Sequence, residues 1–400
     1  MNDVSTASWQ ARYEGALMRT FTTPPRLLAR GEGCWVWDNE GVPYLDFVAG
    51  IAVNALGHAH PALVNAVTHQ VSTLAHVSNL FATEPQLQLA ERLQVLTGAG
   101  PLGRVFFANS GTEAIEAAFK LARLNRGENG QRTRILALHH AFHGRSMGAL
   151  ALTAKPALRT DFLPLPDGVE HIDASIAALE TAMDEHVAAL VIEPIQGEAG
   201  VIPLPEGYLR RARELTERFG ALLVVDEIQT GIGRTGRWFG YQHEGILPDA
   251  IALAKGLGGG VPIGALVTFG SASEIFAPGQ HGSTFGGNPL ATAAALAVLS
   301  EIDRAGLVDN AASRGVELTG IINGFDSPLI SGVRGAGLLL GIALREPVAA
   351  RLTEAALANG LIVNAANEST IRLAPPLIVG DAELAAFRDR FARALAATTP

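Results

Sequence analysis

Pro248-Asp249-Ala250-Ile251-Ala252-Leu253-Ala254-Lys255-Gly256-Leu257-Gly258-Gly259-Gly260 reads as a short apolar strand that ends in a single cation and passes into a glycine-rich loop. A lysine that closes a buried strand is poorly solvated. Its ammonium then loses a proton more easily, which suits an amine that must form a Schiff base with a carbonyl. A lone lysine at a strand end can equally snorkel into solvent. A second stretch favours the chemical reading: Ala221-Leu222-Leu223-Val224-Val225-Asp226-Glu227-Ile228-Gln229-Thr230-Gly231 is again an apolar strand, with an acid at its carboxyl end.

In an open α/β sheet, ligands bind outside the carboxyl ends of the strands. Lys255 and Asp226 presented at one such edge supply what pyridoxal phosphate requires: a lysine to hold the aldehyde and a carboxylate to pair with the ring nitrogen. The glycine run 256–260 has no G-x-G-x-x-G, so a dinucleotide-binding loop is not expected there.

The chain of 400 residues is long enough for a large domain and a smaller one. At 48% hydrophobic and 17% charged it reads as globular rather than disordered. Its net charge of −9 argues against nucleic acid or an anionic membrane as the main partner. No apolar run approaches the roughly 20 residues that span a bilayer. The opening Met1-Asn2-Asp3-Val4-Ser5-Thr6 lacks the basic and apolar blocks of a signal peptide, so a cytoplasmic enzyme is expected. The single Cys34 excludes an internal disulfide and a multi-cysteine metal site, and no metal is expected.

From about residue 103 short apolar strands alternate with helices. Strands are expected at 104–108, 134–138, 187–192, 221–225, 250–253 and 264–269, with helices at 111–126, 174–185 and 206–219. This rhythm indicates an α/β fold with a largely parallel sheet covered on both faces. Upstream, 33–47 reads as a β-hairpin around Asp38-Asn39-Glu40-Gly41, and Pro24-Pro25 breaks any helix. Two helices follow. One opens at His60-Pro61 with Leu63, Val64, Val67, Val71 and Leu74 on one face; the other spans 84–97. After Asn288-Pro289 come helices at 289–304 and 309–323, a strand at 333–344, a helix at 347–359, a short strand at 371–373 and a terminal helix at 381–397.

Five further stretches hold candidate site residues. Asn109-Ser110-Gly111-Thr112-Glu113 opens a helix, where backbone N–H groups bind phosphate; Ser110 and Glu113 also match an S-x-x-E capping box. Phe142-His143-Gly144-Arg145 offers an aromatic to stack on a flat ring and an arginine to grip a carboxylate. Glu193-Pro194-Ile195-Gln196-Gly197-Glu198 places an acid, Glu198, where it could pair with a site arginine. His281-Gly282-Ser283-Thr284-Phe285-Gly286-Gly287-Asn288-Pro289 brings hydroxyls before a helix. Arg372, between Ile371 and Leu373, is a strand cation that wants an anionic partner.

Together and in order, SGTEA (110–114), FHGR (142–145), EPIQGE (193–198), DEIQTG (226–231), AKGLGGG (254–260), GSTFGGNP (282–289) and RLAPPL (372–377) resemble the class III, or ornithine-type, aminotransferases of PLP-dependent transferase fold type I. The resemblance spans nearly the whole chain. It implies a large domain over 60–293 with a mostly parallel seven-stranded sheet, and a smaller α+β domain from 1–59 and 294–400.

The resemblance also implies roles. Lys255 would carry pyridoxal 5'-phosphate and move the proton between substrate and cofactor, and Asp226 would keep the ring nitrogen protonated. Ser110, Gly111 and Thr112 would hold the phosphate, Phe142 would stack on the ring, and Gln229 would bond its hydroxyl, with Glu227 and Ile228 beside it. Thr284 would reach the phosphate of the neighbouring subunit, making a homodimer with shared active sites. Arg145 and Ser283 would meet N-acetylornithine. Arg372 would bind the α-carboxylate of 2-oxoglutarate or glutamate, with Glu198 neutralising it in the other half-reaction. Ornithine, succinylornithine, 4-aminobutyrate and succinyl-diaminopimelate are alternative donors on the same machinery. An aminomutase is a further alternative, disfavoured by the presence of both Arg145 and Arg372. A non-catalytic PLP-fold protein is disfavoured by intact Lys255 and Asp226.

Overall fold

The structure, a computed structural model, describes residues 8–398; the opening hexapeptide read above for a signal peptide lies outside them. Its centre is a seven-stranded sheet built from β1 (Arg104–Ala108), β2 (Arg134–Leu138), β3 (Val169–Ile172), β4 (Val187–Ile192), β5 (Leu222–Asp226), β6 (Ala250–Leu253) and β7 (Gly264–Thr268), in the order β1-β7-β6-β5-β4-β2-β3. β3, β2, β4, β5 and β6 pair in parallel, while β7 runs antiparallel to both β6 and β1.

The central strands are apolar throughout because both faces are covered. Alternate residues serve two separate cores: Leu136, Leu190, Leu223, Val225 and Ile251 enter one, and Ile135, Ala189, Val191, Val224 and Ala252 the other. This is the period-two projection of strand side chains at work on a doubly covered sheet. The helix Gly111–Leu124 lies in the second core, burying Ala114, Ile115, Ala118 and Leu121.

The two chain ends meet. Leu28–Glu32, Trp35–Asp38 and Pro43–Asp46 form antiparallel pairs, and Leu361–Ile362 adds to the last of them in parallel. The Phe47 ring stacks on Phe387 of the terminal helix Asp381–Thr398 with centroids 4.7 Å apart, and Phe387 stacks in turn on Phe391 at 5.2 Å. A second four-stranded sheet, ordered Ile330–Ala336, Leu339–Leu344, Thr370–Leu373 and Asn364–Asn367, is wholly antiparallel and carries Arg372.

The sequence expectations hold for the helices and for six of the seven central strands. Several elements differ from the sequence expectation, including the helix Met147–Leu152 and the short strands Leu361–Ile362 and Asn364–Asn367, for which none is expected. The strand expected at 333–344 is a hairpin, turned at Gly337 in the left-handed region (φ 53°). The edge strand β3 escaped notice because Glu170 and His171 interrupt its apolar pattern. The helix Trp9–Ala16 and the strand Leu28–Glu32 carry no fully buried side chain, so no burial pattern marks them. The helix Pro61–Thr73 forms as expected, yet buries none of its residues: Val64 and Val71 on its apolar face stay exposed, as does Leu74 just beyond.

Phe387→Ala removes the ring that joins the two chain ends. Loss of a fully buried phenylalanine costs about 3–5 kcal/mol. Denaturant titration at fixed protein concentration is expected to show an unfolding free energy lower by that amount.

Candidate active site

The carboxyl ends of β1, β2, β4, β5 and β6 converge on a cavity of about 460 Å³. Ser110, Gly111, Thr112, Phe142 and Arg145 line it from the β1 and β2 side. Glu198, Asp226, Ile228, Gln229 and Lys255 line it from the β4, β5 and β6 side. The reversed strand β7 begins at the same edge with Gly264. A Cβ there would sit 2.2 Å from the Ser110 carbonyl oxygen, so only glycine lets β7 approach the start of the phosphate-type helix this closely.

Lys255 follows β6 in the left-handed region, φ 44°. A non-glycine residue held there costs on the order of 1–3 kcal/mol, and such strain persists where surrounding structure dictates it. Burial lowers the amine's pKa from 10.5 to about 8. The positive Arg372 pushes in the same direction, while Glu198, Asp226 and Glu193 oppose it. Lys255 therefore has a nucleophilic, neutral fraction near neutral pH that an exposed lysine lacks.

Asp226 is 4% exposed and holds two contacts: Oδ2 meets His143 Nδ1 at 2.7 Å, and Oδ1 accepts the Ile228 N–H at 3.0 Å. Burial depresses the His143 pKa, but the hydrogen bond and charge of Asp226, with Glu193 nearby, outweigh it and raise the value overall. Glu193 accepts the Phe142 N–H at 3.1 Å. Burial pushes its carboxyl up to about 8, with His143 and Lys255 working against that and Asp226 for it. Neither His143 nor Glu193 was assigned a role from the sequence, although both lie inside the quoted FHGR and EPIQGE segments. Only their burial beside Asp226 distinguishes them from ordinary loop residues.

The helix Gly111–Leu124 opens on this cavity. Ser110 Oγ accepts the Glu113 N–H at 3.3 Å. The expected capping box is shifted by one residue, because the Glu113 carboxylate accepts from the N–H of Asn109, at 2.8 Å, and not from that of Ser110. The amides of Gly111 and Thr112 have no protein acceptor among the described residues. The Thr112 hydroxyl sits 2.6 Å from Ser146 Oγ. Gly144, at φ 135°, leaves room for it, since a Cβ would stand 2.4 Å from Thr112 Oγ1.

Two arginines flank the cavity. Arg145 is exposed at its rim, 5.9 Å from the Phe142 ring centroid. Arg372 is 2% exposed; it pairs with Glu198 through Nη1 and donates to Asn364 Oδ1 at 2.7 Å and Gln229 Oε1 at 3.3 Å. Burial raises the Glu198 pKa, but Arg372, by charge and hydrogen bond, reverses the sign and holds it below the usual carboxylate value.

Arg372 meets the cavity wall only through Glu198 and Gln229, and three further sequence-named residues are also off that wall. The Glu227 carboxylate is turned from the cavity, accepting from the Thr230 hydroxyl and from the N–H groups of Gly240 and Tyr241 at 2.5–2.9 Å. Burial there pushes its pKa to about 7. Ser283 Oγ accepts from Asn109 Nδ2 at 3.2 Å and from the Gly286 N–H at 2.9 Å, beside the cavity but not on its wall. Thr284 is exposed and does not reach the cavity of its own chain.

The family model of the aminotransferases of class III matches residues 18–395. The chain belongs to the class III aminotransferases. It is 54% identical over 384 residues to acetylornithine aminotransferase of Mycobacterium tuberculosis, covering 96% of this chain and 95% of that one. The crystal structure of ornithine aminotransferase from Toxoplasma gondii superposes with a TM-score of 0.92 at 32% identity, over 97% of this chain and 94% of that one. An amine transaminase from an uncultivated Pseudomonas species, solved with PLP bound, gives 0.90 at 28% identity, over 96% and 98%. The protein is thus a pyridoxal phosphate-dependent aminotransferase.

The cavity's own residues fit that cofactor. Two unpartnered amides at a helix start suit a phosphate, a buried carboxylate held by His143 suits a protonated ring nitrogen, and a desolvated lysine suits an aldehyde. Covalent capture of pyridoxal phosphate by cofactor-free protein needs the neutral amine. Its rate is expected to rise about tenfold per pH unit below pH 8 and to level off above, since the neutral fraction saturates past the pKa. Stopped-flow absorbance against pH measures it; a rise continuing to pH 10 would mean an ordinary lysine.

Proposed function

We propose that this aminotransferase transfers the terminal amino group of N-acetylornithine to 2-oxoglutarate, giving N-acetylglutamate semialdehyde and glutamate, a step of arginine biosynthesis in the cytoplasm. Kinship over nearly the full chain with acetylornithine aminotransferases carries the choice of donor. The pairing of Glu198 with Arg372 supports the alternation between two differently charged substrates.

Bound pyridoxal phosphate supplies an electron sink for charge that develops on the substrate carbon. Lys255 Nζ takes the proton from the donor's terminal CH and delivers it on the other side of the transferred nitrogen. The Asp226 carboxylate, held by His143 Nδ1, keeps a proton on the ring nitrogen. The Gly111 and Thr112 amides hold the phosphate, and Phe142 covers one ring face. Arg145 grips the donor's carboxylate with two parallel hydrogen bonds, near Ser283. The donor's reacting carbon carries no carboxylate, so Arg372 stays neutralised by Glu198. The acceptor brings an α-carboxylate, for which Glu198 gives way and Arg372 becomes the partner.

A homodimer completes this reading, with Thr284 supplied across the interface. In support, Leu80, Phe81 and Phe285 are 84%, 69% and 58% exposed, and Asn79 Nδ2 donates to the Ser283 and Gly286 carbonyls, tying the 79–81 segment to the Thr284 loop. Such an apolar surface around the loop suits a second copy of the chain. The proposed division is a large domain over 60–293 and a small one from 1–59 and 294–400, consistent with the shared sheet of the two chain ends.

Absorbance titration of the half-reaction tests the donor. N-acetylornithine is expected to convert the enzyme at lower concentration than ornithine, 4-aminobutyrate or succinyl-diaminopimelate, with 2-oxoglutarate restoring it. Preference for another donor would overturn the donor assignment. Lys255→Ala is expected to abolish turnover. Arg145→Ala is expected to raise the KM for N-acetylornithine by about 10- to 100-fold, the worth of a charged hydrogen-bond pair, with cofactor affinity unaltered; an unchanged KM would remove Arg145 from the site.

A further inference from the structure

A second concavity of about 840 Å³ adjoins the active cavity, and Phe142 and Glu198 line both. Its wall holds Lys155 and Arg159, the only lysine and arginine there, with His139, His140 and His171. Lys155 and Arg159 have no ion-pair partner among the described residues, and Arg159 Nε is buried without a hydrogen bond. The acids on the same wall are Asp173 and Glu198, and the charge of Glu198 is taken up by Arg372. Two free cations thus face one free acid. Burial lowers the His171 pKa, and the Arg159 cation adds to this.

The whole chain carries −9. At long range it repels an anion, and a local excess of cations in a concavity that shares walls with the active cavity offsets this nearby. We infer that the Lys155–Arg159 concavity is a vestibule that gathers the dianionic 2-oxo acid before it reaches Arg372. It rests on the acceptor named under the proposed function and goes further by giving the two substrates unequal dependence on charge. 2-Oxoglutarate carries two negative charges, whereas N-acetylornithine is a zwitterion of net charge zero. The vestibule therefore raises the local concentration of the acceptor and leaves that of the donor almost untouched.

The test is kcat/KM for each half-reaction in Lys155→Gln/Arg159→Gln. Arg388→Gln/Arg393→Gln, which removes two exposed cations from the terminal helix, matches the loss of two charges and controls for net charge. The acceptor arm uses protein loaded with pyridoxamine phosphate, so it needs no donor. At about 20 mM ionic strength, where charges act over roughly 20 Å, the double variant is expected to lose three- to tenfold in kcat/KM for 2-oxoglutarate. The donor arm is expected to change less than twofold, and the acceptor loss to vanish near 0.5 M NaCl, where the screening length is about 4 Å. Equal loss in both arms, no loss against Arg388→Gln/Arg393→Gln, or a loss that persists in high salt would each overturn the vestibule. A wild-type enzyme that ignores N-acetylornithine would sink the donor assignment alone, because the acceptor arm remains readable against the Arg388→Gln/Arg393→Gln control.

Discussion

Burial of charge in one small volume is the constraint on which the rest of the site depends. Water is scarce at the carboxyl edge of the sheet, so each ionisable group must either find a partner or shed its charge. Lys255 and Glu193 move toward neutrality, to about 8 in each case from opposite directions. Asp226 with His143, and Glu198 with Arg372, remain as close pairs. The same desolvation thus favours a neutral amine and leaves two ion pairs, His143–Asp226 and Arg372–Glu198, each with its acid on the cavity wall.

The scaffold makes this possible by separating strength from chemistry. The two apolar cores lie on the faces of the seven-stranded sheet, while the reactive groups stand at one edge of it. A parallel sheet satisfies its backbone internally and leaves the strand ends free to carry loops. The antiparallel β7 fills the row without adding a catalytic loop at that edge. Arg372 comes from the other, wholly antiparallel sheet and reaches the cavity wall through Glu198 and Gln229. Arg372 and Lys255 therefore stand on different sheets of the fold.

Much of this was legible. The central strands announce themselves as short apolar runs because both of their faces are buried, and Asp226 and Lys255 stand at their ends. Where the pattern was diluted, legibility failed: Glu170 and His171 hid the edge strand, and one glycine turned an apparent strand at 333–344 into a hairpin. Successive side chains leaving a strand face opposite ways, so the Glu227 carboxylate turns from the cavity that Asp226 lines. His143 and Glu193 were visible as letters but not as participants, since nothing local says that a histidine 83 positions from Asp226 will touch it.

The amino-acid sequence by itself determined which reactive groups exist, their order, and the local elements that present them: a lysine and an aspartate at strand ends, a glycine–threonine helix start, and an arginine inside a strand. These are short-range matters of periodicity, capping and turn chemistry. Only the tertiary structure decided which groups meet and in what state of charge. The pairing of Arg372 with Glu198 across 174 positions, the turning away of Glu227 and the lowered pKa of Lys255 all follow from desolvation and distance. Those quantities have no value until the chain has folded.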